Sequence, residues 1–488
     1  MARSGLDALP GELLNEICGY LCWHCRGGHA TSIRPFELES NNGELEPPMW
    51  KRDEQTGLAS LSRTCRVLHM AAEPFLYHYF YTFQNHDLYF FFRTVSERPD
   101  LAAIVSEVEV GHAGGVPTTV RRPDVIEGGV RRAGLKPEDP AEAREGVEHD
   151  VLFSQLLQLM PNLERFHFRQ FGGPFPTRPD PSLSSLVSLK NVALSGFKKG
   201  GYVLDRAIST LRLAPNLEIL HCYGCLWVSQ YFVGDLGRKT REERLPSSSA
   251  ALTQPPPLQN LVELRLTDTL LTVHSLIHLL GAVGPGLSKV SIRRSGLPPP
   301  SGWGSRHNLE FGEAVYALRP WSQTLREFTF SIDGIVEPRQ DPPHGLHLAG
   351  RLRDFRVLQI LQVQECSFDF PGYFRRQEDA LTSTLPVFLR ELRVMRSIYC
   401  NIVPALQALL GAVTNGQFAD LKRIEIDNHH WGVAGELTEL TELTELRELG
   451  VMFQSAGVDF VTRPEAATTE IRVISDEEND SPFQSPQN

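Results

Sequence analysis

The sequence has no long hydrophobic run and no surplus of positive charge. No stretch of roughly 18 apolar residues occurs in the 488 residues, so no membrane-spanning helix is predicted. The N-terminus lacks the apolar region that follows the basic start of a signal peptide, and we expect none. Lys and Arg number 48 against 59 Asp and Glu, which gives a net charge of −11. Because nucleic-acid binding needs a basic face, we predict no nucleic-acid partner, and the missing apolar run predicts no membrane partner.

Cysteines are few, and the common catalytic motifs are missing. Eight cysteines in a chain without an expected signal peptide predict reduced thiols and a cytoplasmic or nuclear location. The sequence contains no phosphate-binding loop, no dinucleotide fingerprint, no H-E-x-x-H and no G-x-S-x-G. We therefore predict a protein that is not an enzyme and needs no cofactor. A triad of residues scattered along the chain would leave no such motif.

One cluster of thiols and imidazoles invites a metal interpretation. It has C-x-x-C spacing with two nearby histidines, a combination that zinc favours, and consists of Cys22, His24, Cys25 and His29. A second C-x-x-C pair, Cys222 and Cys225, follows 200 residues later. Neither has the paired spacing of a zinc finger or ribbon. Ordinary thiols are the favoured interpretation, and we predict no metal site.

What the chain does contain is a repeated string, L-x-x-φ-x-φ, in which φ is an apolar residue. The alternation predicts a short strand with one buried face, and the leading residue turns the corner into the core. The string starts eleven times, at Val105, Leu163, Leu189, Leu217, Leu261, Leu287, Leu325, Leu358, Leu389, Leu421 and Leu446.

Stacking of these strings predicts a solenoid. No single repeat can bury its own apolar face, so we expect neighbouring strands to form a curved parallel sheet with outer helices. Only four of the ten intervals fall within the roughly 20–29 residues of leucine-rich repeats, so the array is irregular. The remaining alternative is an unrelated α/β fold. Four stretches look like loop excursions: 111–148, 236–257, 295–308 and 332–347.

The first 80 residues have a helical pattern instead. Leu13, Ile17 and Leu21 share one helix face. Residues 22–56 lose this periodicity and are predicted to be a loop. Apolar residues between 58 and 72 then trace a second helix face, and Pro74 is expected to start a third short segment.

This opening resembles the F-box. The similarity lies in L-P-x-E-L-L with Ile17, Tyr20 and Leu21, then in L-A-S-L-S-R-T-C-R-V-L-H at 58–69 and E-P-F-L-Y at 73–77. The stretch ERPDLAAIVSEVEV at 97–110 is similar to the junction that fungal F-box proteins have before their leucine-rich repeats. One departure is the length of residues 22–56, since the family joins its first two helices by a short loop.

The resemblance implies a substrate receptor of an SCF-type cullin–RING ubiquitin ligase, without catalytic residues. In that family the F-box binds the cullin adaptor protein, and the repeats capture the substrate. Carried over by position, the adaptor contacts would be Leu9, Pro10, Leu13, Leu14, Ile17, Leu58, Leu61, Ser62, Cys65 and Leu68. The alternative is a repeat scaffold without a ubiquitin-ligase role, whose first helices only cap the array.

The resulting division of the chain has four parts. We predict an F-box at 1–80 with an insertion at 22–56, and a helical linker or cap at 81–104. A leucine-rich-repeat-like solenoid follows at 105–462, and a disordered acidic tail with two Ser-Pro pairs at 463–488.

The exposed positions of the predicted strands suggest where a substrate binds. In the first half they are mostly basic, with Glu263 as the exception: Arg165, His167, Arg169, His221, Tyr223, Arg265, Lys289 and Arg293. The second half is mixed, with Glu391, Arg393, Arg423, Glu425 and Asp427. Since Arg pairs bidentately with carboxylate and phosphate, we hypothesise an acidic or phosphorylated protein substrate. The competing interpretation is an ordinary solvated sheet face.

Overall fold

The computed structural model of the chain describes residues 5–6, 9–22, 25, 49–82, 85–111, 156–170, 186–196, 202–203, 211, 213–226, 258–267, 269, 271, 273–295, 309–333, 350–364, 380–395, 402–427 and 436–463. Contacts divide the chain into two units. The first unit comprises Met1–Glu337 with Pro343–Leu358, and the second comprises Pro338–Pro342 with Gln359–Asn488. The excursion predicted at 236–257 and the tail beyond residue 463 lie outside the described residues, as do His24 and His29.

Three helices open the first unit. They are α1 (Gly11–Leu21), α2 (Met49–Ser62) and α3 (Arg66–His78). Glu12 lies in the first turn of α1, where the helix dipole favours a negative charge. The three helices share one buried core, made of Leu14, Cys18, Cys22, Leu58, Leu68, Ala71 and Ala72. The predicted helical opening is therefore present.

The helix boundaries correct two of the predictions. Helix α2 begins at Met49, inside the segment that was predicted to be a loop. The apolar face traced between residues 58 and 72 belongs to two helices, because Cys65 has an extended backbone and separates α2 from α3. The periodicity continues across this break since Leu58 and Leu68 face the same core from different helices.

The end of α3 also differs from the expectation. Pro74 lies inside α3 and does not start a new segment. The helix ends at His78, and strand β1 (Tyr79–Thr82) follows at once. Helices α4 (Asn85–Glu97) and α5 (Pro99–Ala102) then occupy the region that was predicted to be a helical linker.

Eight strands of the first unit pair in parallel as one sheet, in the order β1-β2-β3-β4-β6-β8-β9-β10. After β1 they are β2 (Glu107–Gly111), β3 (Arg165–Gln170), β4 (Asn191–Gly196), β6 (Ile219–Tyr223), β8 (Glu263–Thr267), β9 (Lys289–Ser295) and β10 (Glu327–Asp333). Two short strands, β5 (Tyr202–Val203) and β7 (Cys225–Leu226), pair separately. The α/β class and the parallel sheet are confirmed.

Returning helices connect several of these strands. Helix α6 (Val273–Gly281) lies between β8 and β9. Helix α7 (Phe311–Leu318) lies between β9 and β10. It starts with a capping box, in which the backbone N–H of Glu310 donates to the Glu313 carboxylate at 3.0 Å.

The second unit has four parallel strands. They are β11 (Ile360–Gln364), β12 (Glu391–Met395), β13 (Arg423–Asp427) and β14 (Asp459–Arg463). Helices α8 (Ala380–Thr384), α9 (Val403–Thr414) and α10 (Glu436–Ser455) connect them.

The last predicted strand is wrong. The string that starts at Leu446 lies inside α10, and β14 comes after it. Leu446, Leu449 and Phe453 are buried at helical spacing, and Glu and Leu favour helix in this segment. The turn after α10 uses Gly457 at φ +84°, a backbone conformation that favours glycine.

The leading leucines of the strings are buried, as predicted. Those at 163, 189, 217, 261 and 287 are at most 2 % exposed. The backbone beside each corner repeats one hydrogen-bond pattern. The N–H groups of residues 218 and 219 both donate to the carbonyl oxygen of residue 190, and those of 262 and 263 both donate to that of 218. Each corner is therefore tied to the one before it.

Side chains next to the corners add a second link between repeats. The residue before the corner donates back to a backbone carbonyl of an earlier repeat. Asn216 Nδ2 donates to the Val187 oxygen at 2.8 Å, and Asn260 Nδ2 to the Pro215 oxygen at 3.0 Å. Thr324 Oγ1 donates to the Leu287 oxygen at 2.9 Å. These bonds satisfy backbone carbonyl groups of the turns, which the hydrogen bonds between strands do not reach.

Replacing a corner leucine should destabilise the array far more than replacing its neighbour. Leu261 is fully buried, whereas the adjacent Val262 is 40 % exposed. We expect Leu261→Ala to lower the free energy of unfolding by about 2–5 kcal/mol, and Val262→Ala by less than about 1 kcal/mol. Denaturant melts followed by circular dichroism measure both. Equal losses in the two variants would contradict the role given to the corners.

Candidate functional site

The strands of the first unit alternate between a buried face and a polar face. The parallel register aligns the polar face into rows that cross the sheet. The first row contains Glu107, Arg165, Asn191, Ile219, Glu263, Lys289 and Glu327. The second contains Glu109, His167, Ala193, His221, Arg265, Ser291 and Thr329. The third contains Gly111, Arg169, Ser195, Tyr223, Thr267, Arg293 and Ser331.

Acidic partners offset much of the predicted basic character of this polar face. Arg165 lies 3.5 Å from the Glu107 carboxylate, and only 12 % of its side chain is exposed. Lys289 pairs with Glu327 at 2.9 Å. Arg265 pairs with Glu263 within its own strand. The list of exposed strand positions predicted from the sequence did not include Glu107 of β2 and Glu327 of β10. The predicted face therefore looked more basic than it is.

The third row has uncharged residues at the register positions beside each of its arginines. It aligns Arg169, Tyr223 and Arg293 along the carboxyl-terminal ends of the strands. Arg293 is half-buried and forms no ion pair with any residue that the structure describes. An anion docking on the sheet would meet its strongest attraction in this row.

His221 occupies the centre of the polar face and is 2 % exposed. Its Nε2 lies 3.1 Å from the Thr267 hydroxyl. Burial lowers the pKa of His221 to about 3, with smaller electrostatic contributions from Arg265, His167 and Arg293. The imidazole is therefore neutral near pH 7.

The polar face of the second unit is a closed charge network. The Glu425 side chain is 4 % exposed and has three guanidinium groups around it. They belong to Arg463 at 2.7 Å, Arg423 at 3.1 Å and Arg393 at 3.8 Å. The mixed charges predicted here mostly form ion pairs with one another. This pairing favours the first unit as the place for an anionic ligand.

The ten predicted adaptor contacts take different positions on the three helices. Three of them, Leu14, Leu58 and Leu68, are buried in the shared core. Leu9, Leu61 and Cys65 are partly buried against that core, and Ile17 and Ser62 are half-buried. Only Pro10 and Leu13 are well exposed.

The predicted adaptor contacts leave out the most exposed apolar side chain of α1. Tyr20 is 65 % exposed, and Leu13 is 44 % exposed. With the half-buried Ile17 they form one line at spacings of four and three, here called the α1 stripe. The stripe lies beside the buried line of Leu14 and Cys18. A helical wheel that separated these two lines would have found it.

The C-terminal ends of α1 and α3 bring two thiols and an imidazole together. The three ligand atoms of Cys22, Cys25 and His78 lie within 4.8 Å of one another. Sequence reasoning considered the two cysteines but not His78, because it lies 53 residues beyond Cys25. Burial lowers the pKa of His78.

Comparison with known proteins does not assign the chain to a family. Neither a scan of protein-family models nor a search of curated proteins gives a match to this chain. Among the described helices, none is both long enough and apolar enough to span a bilayer.

The buried His221 should make the fold sensitive to acid. The unfolded chain binds a proton at His221 below about pH 6.5, whereas the folded chain does so only near pH 3. The free energy of unfolding should therefore fall as pH drops from about 7 to about 5, by up to roughly 1.4 kcal/mol per pH unit from this group. Denaturant melts of His221→Asn should show a shallower dependence than wild type.

A surface histidine provides the control for that measurement. His69, whose side chain is 52 % exposed, is replaced in the same way as His69→Asn. Identical pH dependence in wild type and His221→Asn would contradict a neutral buried imidazole.

Proposed function

We propose that this chain is a substrate receptor of an SCF-type cullin–RING ubiquitin ligase. The observation that carries the proposal is the α1 stripe. It is an exposed apolar line on the helical unit formed by α1, α2 and α3, whose own core is buried without it. An F-box presents such a surface to the cullin adaptor. The F-box-like motifs at 9–21, 58–69 and 73–77 coincide with α1, the α2–α3 break and the end of α3.

The burial pattern supports an adaptor-binding role for α1 over a purely structural one. A capping helix uses its apolar residues to cover the end of an array. Helix α1 instead has Leu14 and Cys18 in the helical core, while Leu13 and Tyr20 point to solvent. Helix α3 has two further exposed apolar residues, Met70 at 66 % and Val67 at 40 %. Exposed apolar groups of this number on one small unit favour a protein partner.

The polar face of the first unit is the proposed substrate platform. Its third row offers Arg293 to an acidic or phosphorylated segment, and Arg169 occupies the same row in β3. A receptor of this kind acts without catalytic residues. It holds the substrate near the ubiquitin-charged enzyme and so raises the effective concentration of the acceptor lysine. This role places the protein in the cytoplasm or the nucleus.

One observation favours the alternative of a repeat scaffold with capping helices. Helix α3 runs directly into β1, the edge strand of the sheet. The Ser106 N–H and hydroxyl both donate to the His78 carbonyl oxygen, at 3.1 Å and 2.8 Å. The helices are thus joined firmly to the array, as a cap would be.

Charging the α1 stripe separates the two functions. Leu13→Glu with Tyr20→Glu leaves the buried core untouched, so the fold should persist by circular dichroism. Binding of the purified cullin adaptor should weaken by at least about 30-fold in calorimetry, because the stripe would form the centre of the interface. The control is Val451→Glu with Met452→Glu, two residues of α10 that are 65 % and 52 % exposed. Undiminished adaptor binding by the α1 variant, or none by wild type, would overturn the proposal.

Reversing the charge of the third row tests the substrate platform. Arg169→Glu with Arg293→Glu should remove captured partners from the intact chain, as measured by quantitative affinity capture. Arg165 is left unchanged because a glutamate there would face Glu107 and destabilise the sheet. Arg319→Glu, on an exposed 3₁₀ turn, is the control. Capture that is equal in both variants would contradict the platform.

A further inference from the structure

We propose that Cys22, Cys25 and His78 form a zinc site at the junction between the helical unit and the sheet. This site is independent of the proposed receptor function. It uses two cysteines of the turn that follows α1 and the last residue of α3, two chain segments that the fold alone brings together.

The distances suit a tetrahedral zinc ion. Zinc binds thiolate sulfur at about 2.3 Å and imidazole nitrogen at about 2.0–2.1 Å, so tetrahedral geometry separates sulfur from nitrogen by about 3.6 Å. His78 Nδ1 lies 3.3 Å from Cys25 Sγ and 3.9 Å from Cys22 Sγ, on either side of that value. All three atoms lie within 4.8 Å of one another. A small contraction would bring the three donors to tetrahedral spacing and leave the fourth position to a water molecule.

The local backbone holds the two thiols toward the histidine. Cys22 follows α1 with an extended backbone, and its N–H donates to the carbonyl oxygens of Cys18 and Gly19. The Cys25 N–H donates to the Cys22 oxygen at 3.1 Å, which closes a turn between the two thiols. This turn is what C-x-x-C spacing provides in zinc sites.

The donor set selects zinc among the common divalent cations. Two thiolates with one imidazole are soft and borderline ligands, which Mg²⁺ and Ca²⁺ avoid. Two thiolates and a neutral imidazole also cancel the charge of Zn²⁺, so the site can be partly buried without an uncompensated charge. Cys22 is 2 % exposed and Cys25 is exposed, so a metal ion can enter from the Cys25 side.

The site would fix the helical unit to the first strand. His78 is the residue before β1, and its carbonyl oxygen already accepts two hydrogen bonds from Ser106. A zinc ion bound to His78 would tie the end of α1 to the same point. Since metal binding stabilises only the folded arrangement, zinc should raise the midpoint of thermal unfolding.

The test uses the full chain, prepared under reducing conditions and without a histidine tag. After removal of metal by a chelator and addition of Zn²⁺, about one zinc ion per chain should remain bound by elemental analysis. Co²⁺ in its place should give the thiolate charge-transfer and intense visible bands of a tetrahedral sulfur site. The zinc-dependent rise in the unfolding midpoint is the third measurement.

Two variants and one control make the assignment specific. Loss of a residue that only hydrogen-bonds to a metal ligand typically weakens metal binding about 10- to 100-fold. Cys25→Ser and His78→Gln each remove a ligand and should weaken zinc binding by more than this. Cys65→Ser, a half-buried thiol in the same helical unit, should bind zinc as wild type does. Because Cys25 is exposed, its variant should fold normally.

Three results would overturn the proposal. One is a reduced chain that retains no zinc in competition with a weak chelator. Another is equal zinc affinity in wild type and Cys25→Ser. The third is a Cys22–Cys25 disulfide in protein whose thiols are blocked at cell lysis, which would assign the pair to redox chemistry.

Discussion

Stacking of corner leucines holds the strand layers of the array together. A strand such as β8 has one apolar face of only two side chains, Leu264 and Leu266, and cannot bury it alone. Leu261 closes the same layer at the strand's entry. Each layer is therefore stable only between two others. This requirement fixes the parallel register and hence which polar residues meet on the opposite face.

The same register determines which positive charges on the polar face are paired with acidic neighbours. Parallel strands lie about 4.8 Å apart, so an acidic residue next to a basic one at the same row position pairs with it. Arg165 with Glu107 and Lys289 with Glu327 follow this rule. A basic residue stays available to a ligand only where the residues beside it in the same row are uncharged. That condition is met by the third row, where Arg293 lies between Thr267 and Ser331.

Local patterns predicted most of the fold but little of the candidate sites. Ten of the eleven strings form strands, because alternation and a buried corner are properties of six consecutive residues. The string at Leu446 became helical since its buried residues also fit helical spacing. Strand β1 was missed because YFYT lacks a leading leucine. Exposure and distant contacts are set by packing, which is why the exposure of Tyr20 and the approach of His78 to the two thiols emerged only from the structure.

The proposed function requires that α1 is the surface buried by the adaptor while the strands are left unchanged. Hydrogen–deuterium exchange of the intact chain, with and without purified cullin adaptor, measures this directly. We expect slower exchange in Gly11–Leu21 upon binding and unchanged exchange in β8 to β10. Unchanged exchange in α1, or protection confined to the strands, would contradict it.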